Sequence, residues 1–145
     1  MDDPFDLERF VTAQDADGTY GRVLGELRNA RKTTHWMWFV FPQVAGLGQS
    51  AMSRTFAISS LEEAWAYRHH HVLGPRLTEC TELAVAISDR SAEQVFGFID
   101  AQKLHSSMTL FLRAVPGEPL FDRALDRYFF GMPDSATDRL LALNT

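Results

Sequence analysis

Three stretches of this chain hold residues of the types that bind or transform small molecules. The first is Lys32 to Gln43, KTTHWMWFVFPQ, where Lys32, His35 and Gln43 flank Trp36, Trp38, Phe39 and Phe41. An aromatic floor beside a cation, an imidazole and an amide can stack a planar ligand and hydrogen-bond its edges. The second is Ala45 to Ser50, AGLGQS. Its glycines would let backbone N–H groups approach an anion, and a helix starting near Ser50 would offer its positive end. The stretch lacks the GK[ST] ending of a P-loop and the third glycine of a dinucleotide fingerprint, so a plain tight turn competes with that reading. The third is Asp100 to Thr109, DAQKLHSSMT. On a helix Asp100, Lys103 and Ser107 share a face, and so do Ser106 and Thr109.

Two classes of function follow. In the first, a pocket forms between the Lys32–Gln43 segment and the Asp100–Thr109 helix. Trp36 or Trp38 would stack the ligand, and Lys32, His35, Lys103 and the turn leading to Ser50 would meet a phosphate or similar anion. Gln43 and Thr109 complete its polar wall, and a nucleotide- or phosphate-containing ligand suits it. A catalytic version is a hydrolase with His35 as general base, Asp100 orienting water or a cation, and Ser106 or Ser107 as nucleophile. The order Lys-x-x-Ser-Ser does not match the serine–lysine motif of penicillin-binding proteins, and the sequence leaves open whether any reaction is catalysed. In the second class, the aromatic segment is a patch that binds a protein partner. Against both stands a structural account: an aromatic plug in the core, an i,i+3 ion pair and hydroxyls bonded back to the helix.

Other reactive side chains point away from chemistry. Adjacent helical residues lie about 100° apart, so His69, His70 and His71 cannot all ligate one ion, and no metal or cofactor is expected. Cys80, the sole cysteine, falls between Leu77 and Leu83 in a helix interior, where a buried inert thiol is expected.

The elements that must position these residues are read from spacing. Asp3-Pro4 signals a helix start, and Leu7, Phe10 and Val11 follow at helical spacing until Gly18. A second helix runs from about Thr19 to Arg31. Ser60-Leu61-Glu62-Glu63 and Ser91-Ala92-Glu93-Gln94 both match capping boxes. Asp100 can cap a helix that ends at Pro116-Gly117; Leu120 to Phe129 forms another, closed by Gly131; a last runs from Ser135 to Leu143. Trp36 to Phe41 is the one stretch that could pass for a strand, and it lacks a partner. The expected fold is all-α: a compact single-domain bundle of six to eight helices over residues 1–145, with an irregular middle from about Thr33 to Ser59.

Composition sets the wider bounds. The chain has 145 residues, 46% of them hydrophobic, a net charge of −5 and a pI near 5.4. That is one domain with a sizeable core, and its acidity disfavours nonspecific binding to nucleic acid or membrane surfaces. The acidic start MDDPFDLERF is unlike a signal peptide, no run approaches the ~20 apolar residues of a membrane span, and a cytoplasmic location is expected.

The motif string resembles a known family. Lys32 with HWMWFVFPQ, then Gly46-Leu47-Gly48-x-Ser50, then Leu73-Gly74-x-Arg76-Leu77, then Phe96-Gly97-x-x-Asp100-x-x-Lys103-Leu104-x-Ser106-Ser107-Met108-Thr109-Leu110-Phe111, is similar to domain-of-unknown-function family eighteen-ten of bacteria and fungi, in particular to a small all-helical mycobacterial member. The likeness runs from about Pro4 to Leu141. It implies an all-helical fold and assigns no residue a role. The family pattern often has His-Pro before its Leu-Gly motif, where this chain has His71-Val72. Some members carry a calpastatin-like label; calpastatin segments are disordered repeats, and this chain is neither.

Overall fold

A computed structural model describes residues 2–144. Its helices are α1 (Glu8–Asp15), α2 (Thr19–Arg28), α3 (Met37–Val40), α4 (Ala51–Thr55), α5 (Leu61–His69), α6 (Leu73–Ala86), α7 (Ala92–Phe96), α8 (Phe98–Ala114), α9 (Pro119–Phe129) and α10 (Ser135–Asn144), with a 3-10 turn at Ala16–Gly18. Among the described residues there is no strand; one parallel bridge joins Val44 to Ile58. The fold is all-α, and seven of the ten helices among the described residues are eight residues or longer.

Helix α8 is the axis. It packs against α3, α5, α7, α9 and α10, and every residue from Ser106 to Leu112 is buried. A relay of rings crosses the core beside it. Phe10 meets Tyr67 edge-on at 5.0 Å, Tyr67 meets Phe111 at 5.4 Å, and Phe111 stacks on Phe121 at 5.6 Å. Such pairs add stability beyond the apolar area they remove from water.

Several helix ends differ from their sequence signals, each for a local reason. Asp3 accepts N–H bonds from Leu7 at 2.7 Å and Glu8 at 3.0 Å, so α1 begins a turn after the Asp3-Pro4 signal. Helix α2 stops at Arg28 rather than Arg31 because Ala30 turns to φ 56°. Helix α8 starts at Phe98, not after Asp100: Gly97 holds φ 83° at the junction with α7, a conformation that favours glycine. The Ser91 capping box is complete, with both reciprocal bonds present. The Ser60 box is half-formed. Ser60 takes the Glu63 N–H, but the Glu63 carboxylate accepts from the Ser59 N–H and hydroxyl and from Arg9. The stretch that could pass for a strand is instead one helical turn, α3, ended before Pro42.

The irregular middle is tied down by a few bonds. The Ala45 N–H donates to the Ile58 carbonyl and the Ile58 N–H to the Gln43 carbonyl, both at 2.8 Å. Arg9 holds the far side, donating to the carbonyls of Thr55 and Ala57 at 2.8 Å each.

Candidate functional site

The segment before α3 hangs from one carboxylate. Glu26 on α2 accepts the Thr33 N–H at 2.7 Å, the Thr34 N–H at 3.1 Å, the Thr34 hydroxyl at 2.6 Å and the Trp36 indole N–H at 2.9 Å. Burial pushes this carboxyl's pKa up, but the bonds from Thr34, Thr33 and Trp36 outweigh it and hold it at about 2. The Lys32 N–H donates to the Val95 carbonyl at 2.8 Å, so the same segment is pinned to the end of α7.

These anchors bring Lys32 to Asp100 and Lys103. Lys32 Nζ lies 2.7 Å from Asp100 Oδ2, donates to the Thr34 carbonyl at 2.5 Å and sits 5.0 Å from the centre of the Trp36 ring. Its side chain is 5% exposed, and two of its three N–H groups are taken up inside the protein. Lys103 differs. It makes one long contact, 3.3 Å to Asp100 Oδ1, and lies 4.9 Å from the centre of the Trp38 ring. An ammonium has three donors, so Lys103 keeps N–H groups for another partner. Two lysines against one carboxylate leave a local charge of +1 in a chain of net charge −5.

Two cavities open on either side of Lys103. The first, of about 440 Å³, is lined by Lys32, His35, Trp38, Gly97, Asp100 and Lys103. The second, of about 520 Å³, is lined by Gln43, Ser53, Gln102, Lys103, Ser106 and Asp134 among others. Ile99 and Lys103 border both. The Trp38 indole nitrogen is buried without a hydrogen-bond partner among the described residues. A buried donor of this kind costs free energy unless something pairs with it.

The family model described as a protein of unknown function (DUF1810) matches residues 4–141 of the chain. The chain belongs to this family. Among solved structures, the crystal structure of the conserved hypothetical protein Rv1873 from Mycobacterium tuberculosis is similar, at 53% identity and a TM-score of 0.93 over 97% of this chain and 99% of that one. A search of the curated proteins finds no match.

Against the DUF1810 motif string, the structure sorts the candidate residues. Lys32, His35, Trp38, Asp100 and Lys103 line the first cavity, and Gln43, Lys103 and Ser106 the second. Four candidates lie elsewhere. Trp36 is 1% exposed, with its indole on Glu26 and Lys32 over its ring, so it cannot stack a ligand. Ser50 caps α4 by accepting the Ser53 N–H. Ser107 is fully buried and lines neither cavity. Thr109, also fully buried, donates to the His105 carbonyl at 2.8 Å and accepts the Asp134 N–H at 2.8 Å, latching α8 to the start of α10. The reason is common to the last two: α8 is surrounded on most sides from Ser106 onward, so its hydroxyls turn inward.

The catalytic arrangement is not assembled. His35 is exposed, and no hydrogen bond among the described residues orients it. Ser106 lies on the other cavity, and its hydroxyl is engaged with the Thr137 hydroxyl at 2.9 Å. Both Asp100 oxygens face lysines. The exposed aromatic patch is absent too, since Trp36, Phe39 and Phe41 are buried and only Trp38 reaches a cavity. Elsewhere, His69 places Nδ1 on the Trp65 carbonyl, and His70 Nδ1 accepts the N–H groups of Val72 and Leu73.

The sequence reading missed Ser53, Gln102, His105 and Asp134 in the second cavity, and Glu26 behind the first. A signal existed for Gln102, because Ile99, Gln102, Lys103 and Ser106 recur at helical spacing on one face. Ser53 and Asp134 come from distant segments and carried none.

Proposed function

We propose that this protein binds a small anionic ligand, nucleotide- or phosphate-containing, in the paired cavities beside Lys103. The observation that carries the reading is the Lys103 ammonium: half-buried, held by a single 3.3 Å contact, and present on the walls of both cavities. A cation kept partly dry and under-paired is matched by an incoming anion. The unpartnered Trp38 indole beside it supports the same reading. Asp100 serves as the counterion that holds Lys103 in the unliganded protein, and Lys32 as the fixed cation that positions Asp100.

This reading is one of binding, with no catalytic step. The same reading takes the cytoplasm as its location, which the sole cysteine supports: Cys80 is buried and forms no disulfide, and burial pushes its thiol up to about 12 despite the Tyr20 hydroxyl beside it. No helix among the described residues is long and apolar enough to cross a membrane.

The test is a thermal-shift and tryptophan-fluorescence screen with nucleotides, sugar phosphates and inorganic phosphate. At least one phosphate-bearing compound raises the melting temperature and changes the emission of Trp38. Lys103→Met weakens that compound about tenfold or more, the worth of one charge-assisted hydrogen bond. No response to any of them from folded protein ends the reading.

A further inference from the structure

The second cavity is unevenly furnished, and its polar groups divide by kind. Lys103 supplies a donor. Three of the other groups, on His105, Asp134 and Gln43, offer acceptors that no described residue uses. His105 approaches the Met132 carbonyl through Nε2 at 2.6 Å. A carbonyl can only accept, so Nε2 carries the proton and the other ring nitrogen, Nδ1, is left as an acceptor. The ring is fixed in place by Phe129, which stacks on it at 4.1 Å and 5°. Nδ1 makes no hydrogen bond among the described residues.

Asp134 shows the same half-use. Its Oδ2 accepts both the N–H and the hydroxyl of Thr137, at 3.1 and 2.6 Å, while Oδ1 has no partner among the described residues. The side-chain amide of Gln43 is likewise unengaged; only its backbone carbonyl is used, by Ile58. The lining of this cavity therefore includes a carboxylate oxygen, an imidazole nitrogen and an amide with no partner among the described residues, together with an ammonium.

We infer that the ligand is an anionic polyol, with its anionic head on Lys103 and its hydroxyl-bearing body on Asp134, His105 and Gln43. The inference rests on the anion-binding reading above and specifies the class of ligand. Hydroxyls suit these acceptors better than an ammonium does. Two of the three acceptors are neutral, so a second cation would be met by charge only at Asp134, whereas each acceptor can take one O–H, and the Gln43 amide can also donate to a hydroxyl oxygen.

The experiment measures the increment that hydroxyls add to one head group, by calorimetry on the full chain. Ribose 5-phosphate is compared with n-pentyl phosphate, and gluconate with hexanoate; 6-aminohexanoate is the zwitterionic control. The polyol member of at least one pair binds about tenfold tighter than its alkyl partner, as one or two net hydrogen bonds give. The pair that shows the increment identifies the head as phosphate or carboxylate. His105→Gln, which can still donate to the Met132 carbonyl but lacks the Nδ1 acceptor, shrinks the increment about threefold or more. It leaves the alkyl member within about twofold, a pattern that general damage to the fold would not give. Asp134→Asn, which retains an oxygen for Thr137, does the same. Alkyl and polyol members binding equally would overturn the inference while the anion site stands. So would preferential binding of 6-aminohexanoate. Absence of binding by all five compounds, in folded protein, removes both.

Discussion

Lys32 and Asp100 meet at 2.7 Å with Lys32 almost wholly enclosed, whereas Lys103 reaches the same carboxylate at 3.3 Å from the edge of two cavities. The two lysines look alike in sequence and do different work. Removing Lys32 strips a buried charge pair and the Thr34 bond together. Lys32→Met is expected to cost about 2 kcal/mol, less than for a fully orphaned charge because Lys103 still faces Asp100. For a chain of this length that is a fall of about 6 °C in melting temperature. Lys103→Met, at a longer and partly exposed contact, costs about 1 kcal/mol or less. Melting curves of the two variants decide the matter, and equal losses would show that the lysines are not divided in this way.

Glu26 makes acid stability readable. Its pKa in the folded chain is about 2, against an ordinary value of 4.5. The unfolded chain therefore takes up the proton first as pH falls. The stabilisation from Glu26 is complete above about pH 4.5 and is lost progressively between there and about pH 2. Urea unfolding across that window should show wild type losing more stability than Glu26→Gln, with the two curves converging near its lower edge. Parallel curves would remove Glu26 as the anchor of the Thr33–Trp36 segment.

His70 titrates with the same sign at higher pH. Burial holds its pKa below the usual histidine value, aided by His71, although Asp3 and Glu8 pull the other way. Its Nδ1 accepts two N–H bonds at the start of α6, and a protonated ring cannot accept them. This stabilisation is complete above about pH 6.5 and declines as pH falls below it. His70→Asn offers an acceptor with no proton to take up, so its stability should stay flat from pH 7 to pH 5.5 while wild type declines.

Two glycines inside helices should respond in opposite directions to alanine. Gly74, in the first turn of α6, has no room: an added Cβ would collide with the Arg68 carbonyl, which is backbone and cannot step aside. Gly74→Ala is expected to cost about 3 kcal/mol or more. Gly25, in α2, faces open space, and Gly25→Ala should gain about 0.5–1 kcal/mol from helix propensity alone. Chemical denaturation of both variants gives the sign directly.

The helices were legible where signals were local. Ser91 with Gln94, the Pro116-Gly117 stop, and the apolar spacing of Leu120, Phe121 and Leu125 are written within a few residues, and each appears in the structure. Signals that depend on a remote partner misled. Glu63 looks like the second half of a capping box, yet Arg9, 54 residues away, draws its carboxylate off. Asp100 looks like a cap, yet two lysines take it. In the site, the pairing of the Lys32 segment with the Asp100 helix was readable because both stretches mix rings with charges. Which rings face inward was not. Trp36 and Trp38 stand two apart, and only the position of Glu26 decides that Trp36 is enclosed while Trp38 borders the cavity. Asp134 and Ser53 could not be placed, since nothing near them in the chain records where α10 and α4 return.

The clasp between Val44 and Ile58 gives the second cavity a wall with its own lifetime. Two main-chain bonds and the Arg9 grip hold the loop that carries Gln43 and Ser53, while the opposite wall belongs to the long central helix. Segments held by so few bonds open without the rest of the molecule. The Ala45 and Ile58 amides should then exchange with solvent together, and well ahead of the α8 amides. A compound seated against Gln43 should slow both by a common factor, so that two backbone protons act as a clock for occupancy.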